Sequence, residues 1–187
     1  MKRFATIVAA LSILTLASSA FATGHLYGWS VSGSPVDPFV NSGAATNGVA
    51  NLYLWFVCST VDGMSAAEFD MTGPQILGFN AMNGYLDADG APDKFLLAVG
   101  MCPIGPVVAG QILVFDFPGE YCIIPSAANG FNVTVDCDVN PAAHGNQTTG
   151  YVAGGGVLSC DDSVNSELCI PVSVDATSWG HVKGLYR

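Results

Sequence analysis

Basic residues are scarce in this chain, which has 5 Lys and Arg against 15 Asp and Glu and a formal net charge of −10. Such a surface repels the phosphate backbone of nucleic acids, so we expect no nucleic-acid partner. Charged residues make up only 11% of the chain and hydrophobic residues 50%, a balance that argues against intrinsic disorder. We therefore expect a folded, acidic protein.

Common motifs of catalysis and cofactor binding are also missing. The sequence contains no HExxH, GxSxG, CxxC or CxxCH, so zinc-protease, serine-hydrolase, thioredoxin-like, zinc-ribbon and c-type haem chemistry have no support. The three histidines, His25, His144 and His181, fall in predicted loops or termini. Glu68 and Asp70 lie two residues apart on a predicted strand, which indicates a solvated face rather than a glycosidase pair. We predict a protein that is not an enzyme and requires no cofactor.

Residues 1–22 have the features of an export signal. Lys2 and Arg3 precede an apolar stretch from Phe4 to Leu16, and Ala20-Phe21-Ala22 has the small-x-small form of a cleavage site. The apolar stretch is short for a membrane span, and no second candidate follows. We predict that 1–22 are removed, that the mature protein has no membrane span, and that it is secreted, periplasmic or at the cell surface.

Six cysteines in an exported chain predict three disulfides, for which 15 pairings exist. The preferred pairing joins Cys137 to Cys160, Cys58 to Cys102, and Cys122 to Cys169. The chief alternative joins Cys160 to Cys169 across a short acidic loop. In either case the bonds would cross-link a small domain and stabilise it.

The stretch from Ala50 to Met71 carries the strongest strand pattern. Leu52, Leu54 and Phe56 alternate with Tyr53, Trp55 and Val57, so both faces are apolar and the strand is predicted to be buried on both sides. A polar turn leads to Ala67, Phe69 and Met71, which alternate with Ala66, Glu68 and Asp70. This second strand is predicted to be half-buried, with a solvated face.

Similar short apolar runs, separated by Gly- and Pro-rich turns, continue to Val174, and no long helical period occurs. The cleanest alternation predicts that Phe131, Val133, Val135 and Cys137 face inward while Asn132, Thr134 and Asp136 face outward. We predict an all-β fold: one antiparallel β-sandwich of about nine or ten short strands over residues 23–176. Residues 177–187 are predicted to form a helical or extended tail that docks Trp179 on the sandwich.

The segment AAEFDMTGPQILGF, followed by DKFLLAVGM and GQILVFDF, resembles cohesin-like modules and their immunoglobulin-like relatives. The resemblance covers roughly Ala50 to Phe117. It implies a β-sandwich that binds a protein partner. Two features depart from the family pattern: Thr72-Gly73-Pro74 replaces the usual Tyr-Asp, and the cysteine framework differs. No contact residue is therefore carried over.

Two metal sites are conceivable from the residues alone. Asp87, Asp89 and Asp93 place three carboxylates in one glycine-containing loop, which suits Ca²⁺, although a solvated turn explains the same residues. Cleavage after Ala22 would place His25 third in the mature chain, where it could bind Cu(II) or Ni(II) with the terminal amine. The other interpretation is that His25 begins the first strand.

Two functions remain open. The first is a non-catalytic interaction or structural module that binds a protein partner or associates with itself, as open strand edges allow. The second is a carbohydrate-binding module, with or without Ca²⁺, that would use Tyr27, Trp29 and Trp179 as exposed aromatic residues.

Overall fold

The computed structural model describes residues 27–59 and 63–160, and this part of the chain is built from strands. The predicted signal peptide, His25, the strand from Cys169 to Val174 and the tail with Trp179 lie outside the described residues. No helix among the described residues is long and apolar enough to cross a membrane. The strands are β1 Tyr27–Ser32, β2 Ser42–Gly43, β3 Val49–Cys58, β4 Met64–Thr72, β5 Ile76–Ala81, β6 Tyr85–Asp87, β7 Lys94–Val99, β8 Val107–Phe115, β9 Gly119–Ile124, β10 Val133–Asp136, β11 Ala143–Thr149 and β12 Tyr151–Ala153.

The strands form two layers joined along one side. The first sheet has the order β5–β8–β3–β1–β11. In the second sheet, β6 pairs with β7 and β7 with β4, and the other edge of β4 pairs with β10 and then with β9. Strand β11 also pairs with β10 and so connects the layers. The all-β sandwich is confirmed, although two pairs, β1–β11 and β12–β2, are parallel.

The core lies between the sheets and is centred on Trp29, which is fully buried. Its ring centroid lies 5.2 Å from that of Phe56, 5.1 Å from that of Phe69 and 6.5 Å from that of Tyr85. Because these rings come from four strands in both sheets, Trp29 is the residue through which the layers pack on each other.

Strand β3 is buried on both faces, as its sequence predicts. Leu52, Leu54 and Phe56 point into the core, while Trp55 and Val57 pack under the segment after β1. The indole of Trp55 donates to the carbonyl of Ser34 at 3.1 Å. A loop thus covers part of the outer face of the first sheet.

Strand β10 is oriented opposite to the prediction. Thr134 and Asp136 are buried, whereas Val133 and Val135 are half-buried on the outside and Phe131 is 55% exposed. The inversion is possible because the inward polar groups are bonded. Thr134 Oγ1 accepts from Trp29 Nε1 at 2.9 Å and donates to Asn146 Oδ1 at 2.6 Å.

Two further segments differ from the prediction. Strand β11 occupies Ala143–Thr149 and contains His144, which was predicted to lie in a loop or terminus, and β6 contains Asp87, which was predicted to lie in a loop. Polar residues are tolerated in β11 because it lies between two other strands, β1 and β10, which satisfy its backbone.

The disulfides pair differently from the prediction. Cys102 is bonded to Cys137 and Cys122 to Cys160, so the predicted pairs Cys137–Cys160, Cys58–Cys102 and Cys122–Cys169, and the alternative Cys160–Cys169, are wrong. Cys58 is itself disulfide-bonded, and among the residues that the structure describes no cysteine is free.

The topology explains the bond between Cys102 and Cys137. The loop that contains Cys102 packs against the start of β4, where a Cβ on Gly63 would lie 2.6 Å from the carbonyl of Cys102. The end of β10 pairs with the same start of β4, which brings Cys137 within reach. Spacing in the sequence contains no information about such pairing across strands.

Candidate interaction surface

The outer side of the second sheet has few polar side chains. The alternating burial of β7 directs Phe95, Leu97 and Val99 into the core, so that Lys94 at the start of the strand, Leu96 and Ala98 face outward. Leu86 of β6 is 70% exposed and Leu96 is 44% exposed. Outward positions on a half-solvated antiparallel sheet are normally polar.

Strand register places these residues in two rows. One row runs across β6, β7, β4, β10 and β11 through Leu86, Ala98, Ala66, Val135 and Ala143. The other runs through Leu96, Glu68, Val133 and Gly145. At about 4.8 Å between strands, the first row extends about 19 Å. We call this surface the apolar outer face; its members are Ala66, Glu68, Leu86, Leu96, Ala98, Val133, Val135, Ala143 and Gly145.

Glu68 is the one charged residue in the two rows. Its Oε1 atom accepts from Asn129 Nδ2 at 2.6 Å, which holds the carboxylate toward the loop after β9. Asp70, which was predicted to be solvated with Glu68, is only 7% exposed and accepts from the amide of Ala127 at 2.8 Å. Both carboxylates anchor one loop, so this pair has a structural role.

The β10–β11 connection holds a buried carboxylate. Asp136 Oδ2 lies 2.7 Å from His144 Nε2, and its Oδ1 accepts from the amides of Ala142 and Asp138. The imidazole also stacks on Tyr27, with ring centroids 5.1 Å apart. His144, predicted to lie in a loop, is therefore part of the packing between β1 and β11.

The pKa of Asp136 reflects this environment. Burial by itself raises the pKa, but the hydrogen bonds from His144, Ala142 and Asp138 outweigh it, and the pKa is lower than the usual aspartate value. The ionised carboxylate therefore stabilises the fold above the unfolded-state pKa of about 4, and this contribution is lost as the pH falls through the lower folded-state value.

We expect Asp136→Asn to be less stable than wild type at pH 7 and to lose less stability on acidification to pH 3, because the variant has no charge to protonate. Urea unfolding midpoints at pH 7, 5 and 3 measure the difference. Asp89→Asn, at an exposed position, is the matched control. Equal acid sensitivity of Asp136→Asn and wild type would contradict this account.

The three aspartates proposed for calcium do not converge. Asp87 Oδ1 accepts from the amide of Asp89 at 3.3 Å, as in an Asp-initiated turn, and Gly90 follows with φ +75°. Asp93 lines a separate groove of about 540 Å³ together with Asp70. Calcium at these residues stays a prediction.

Elsewhere in the described ranges, one set of three potential ligand residues has its ligand atoms within 4.8 Å of one another: Glu120, Cys122 and Cys160. The two sulfurs of this set are bonded to each other, which removes them as metal ligands.

Two of the three aromatic residues that were considered for sugar binding are not available for it, and the third, Trp179, lies outside the described residues. Tyr27 and Trp29 have no exposed surface, so their interpretation as exposed aromatic residues is wrong. The apolar outer face was missed instead. Its signal in the sequence is DKFLLAVGM, which is apolar in both alternating sets of positions, a pattern typical of a strand covered on both sides.

Comparison with models of known families gives no match, and no curated protein matches the sequence. Among solved structures, the seventh ScaB type I cohesin from Pseudobacteroides cellulosolvens is similar, with a TM-score of 0.44 and 10% sequence identity over 72% of this chain and 96% of that chain. This structure is a cohesin, and the sequence pattern from Ala50 to Phe117 also resembles cohesin-like modules.

Proposed function

We propose that this protein is a non-catalytic interaction module, secreted or held at the cell surface, that associates with a second copy through the apolar outer face. The observation that carries the proposal is the outward row Leu86, Ala98, Ala66 and Val135 on adjacent strands. Contiguous apolar surface of this kind marks interaction sites in soluble proteins.

The positions of large and small side chains on the apolar outer face support a second copy of the chain as the partner. The large side chains, Leu86 and Leu96, lie on β6 and β7, whereas Ala143 and Gly145 lie at the β11 end of the same rows. A two-fold axis through the face would place the leucines of one copy over the small residues of the other. Packing of two sheets face to face buries such side chains in the manner of a sandwich core.

Charge restricts where two copies meet. The chain has a formal net charge of −10, so most pairs of surfaces repel each other. The apolar outer face has Glu68 as its one carboxylate, and that group is bonded to Asn129. Association through this face therefore brings together few like charges.

Leu96→Arg tests the proposal. Two copies would place two arginines in a desolvated contact, so we expect dimers of wild type and monomers of the variant. Sedimentation velocity between about 1 and 100 μM, the range of moderate affinities, measures the change. Val36→Arg is the control, because Val36 is 85% exposed and lies in the loop after β1, outside the apolar outer face.

Two results would overturn self-association: wild type that stays monomeric at the highest concentration, or a Leu96→Arg variant that dimerises as wild type does. Unfolding midpoints of both variants show whether the fold is retained. A monomeric wild type would leave a different protein as the partner, and Leu96→Arg would then serve as the negative control in its identification.

A further inference from the structure

A small depression lies on the outer face of the first sheet, on the opposite layer from the apolar outer face. Its volume is about 220 Å³, and it is lined by residues of β3, β5 and β8. Sites for drug-sized ligands are about 300–1,000 Å³, so this depression fits a smaller group, such as one ring.

Three carboxamides surround the depression. Asn51, Asn80 and Gln111 lie on three adjacent strands, with Asn80 opposite Gln111 and Asn51 opposite Leu113 in the strand register. In the part of the chain that the structure describes, none of these three side chains has a hydrogen-bond partner in the protein. They are therefore free to bond a ligand from three sides.

The remaining lining is apolar and uncharged. Leu113 is 39% exposed between Asn51 and Gly78, and Phe79, whose ring packs on Phe95, completes the lining. No Asp, Glu, Lys, Arg or His lines the depression. The ligand that fits is neutral, with one apolar side and several groups that both donate and accept hydrogen bonds.

Gly78 keeps the depression open. A Cβ built at this position would meet no atom within 4 Å, and its φ is not in the left-handed region, so neither packing nor backbone geometry requires glycine. The absence of a side chain leaves the space between Asn51, Asn80 and Leu113 unfilled. Any larger residue would occupy that space.

We propose that the amide depression, formed by Asn51, Gly78, Asn80, Gln111 and Leu113, binds one ring of a neutral carbohydrate. Each carboxamide donates to and accepts from ring hydroxyls, and the C–H side of the ring packs on Leu113. Strands β3 and β8 are paired on both sides, so an extended peptide could pair only with the outer edge of β5, away from Asn51 and Gln111. Recognition of a sugar needs only the three carboxamides and the leucine side chain that line the depression.

The test measures binding of cellohexaose, xylohexaose, mannohexaose and chitohexaose to the purified, oxidised protein by calorimetry and ligand-observed NMR. We expect at least one of them to bind with a dissociation constant on the order of 1 mM, as befits a contact with one ring. Gly78→Leu fills the depression and is expected to abolish binding. Gln111→Ala removes one bonding group and is expected to weaken binding about fivefold.

Gly100→Leu is the matched control, because a Cβ there also meets no atom within 4 Å and the residue follows β7 in the other layer. This variant is expected to bind as wild type does. The proposal is overturned if none of the four oligosaccharides binds at about ten times the expected dissociation constant. It is equally overturned if Gly78→Leu, shown to be folded by urea unfolding, binds with wild-type affinity.

Discussion

Trp29→Ala is expected to lower the free energy of unfolding by about 3–5 kcal/mol, the range for removing a fully buried large aromatic side chain. Trp29 has no exposed surface and contacts rings from β3, β4 and β6. The cavity would open between the two sheets, and the pairing of β10 with β11 that joins them limits how far they can close over it. Urea unfolding of the oxidised protein at pH 7 measures the loss.

The indole hydrogen bond can be separated from the packing. Trp29→Phe keeps most of the apolar contact but removes the donor to Thr134 Oγ1. Because Thr134 still donates to Asn146 Oδ1, we expect a cost of about 1–2 kcal/mol from the lost bond and the smaller ring. If Trp29→Ala costs no more than Trp29→Phe, then the two layers do not pack through this residue.

The parts of the fold that could be predicted from the sequence are those whose patterning has a single physical explanation. Strand β3 combines aromatic and branched residues with alternation that only a buried strand explains, and its burial on both faces is confirmed. In β1 the aromatic residues Tyr27 and Trp29 face the same core, although they were considered as exposed sugar-binding residues. The register across β1 and β3 follows from the same faces. Here local preference and tertiary burial act in the same direction.

Strands β10 and β11 show where that reasoning ends. The alternation of Val133 and Val135 with Thr134 and Asp136 indicates a strand, but hydrophobicity alone assigns the wrong face to the core. Thr134 and Asp136 are inside because their partners, Trp29, Asn146 and His144, are supplied by other strands. Pairing over 105 residues, as between Trp29 and Thr134, has no local signature in the sequence.

The inverted orientation of β10 has a consequence for the candidate site. Because Thr134 and Asp136 point inward, Val133 and Val135 are available to extend the apolar outer face beyond β4. Hydrogen bonds in the core thus determine which apolar side chains reach the surface. The surface could not be predicted until the orientation of β10 was known.

Removing the Cys102–Cys137 disulfide with the pair Cys102→Ala and Cys137→Ala is expected to lower the free energy of unfolding by about 4 kcal/mol. The estimate follows from the chain entropy of a loop with a sequence separation of 35 residues. The bond also holds the segment before β8 against the start of β4 and the end of β10, so its loss frees three elements at once. Urea unfolding at pH 7, without reductant, measures the change.

The pair Cys122→Ala and Cys160→Ala provides the comparison, because its loop is nearly the same size, with a separation of 38 residues. Chain entropy predicts that the two double variants lose almost the same free energy of unfolding. A large difference between them would show that one of the bonds also affects the stability of the folded state.

Peptic fragments of the non-reduced protein, identified by mass spectrometry, show the pairing directly. Fragments that join Cys137 to Cys160 would contradict the disulfide arrangement described here. In the unfolding experiment, an unchanged midpoint after removal of the Cys102–Cys137 bond would show that this loop is already constrained in the unfolded chain.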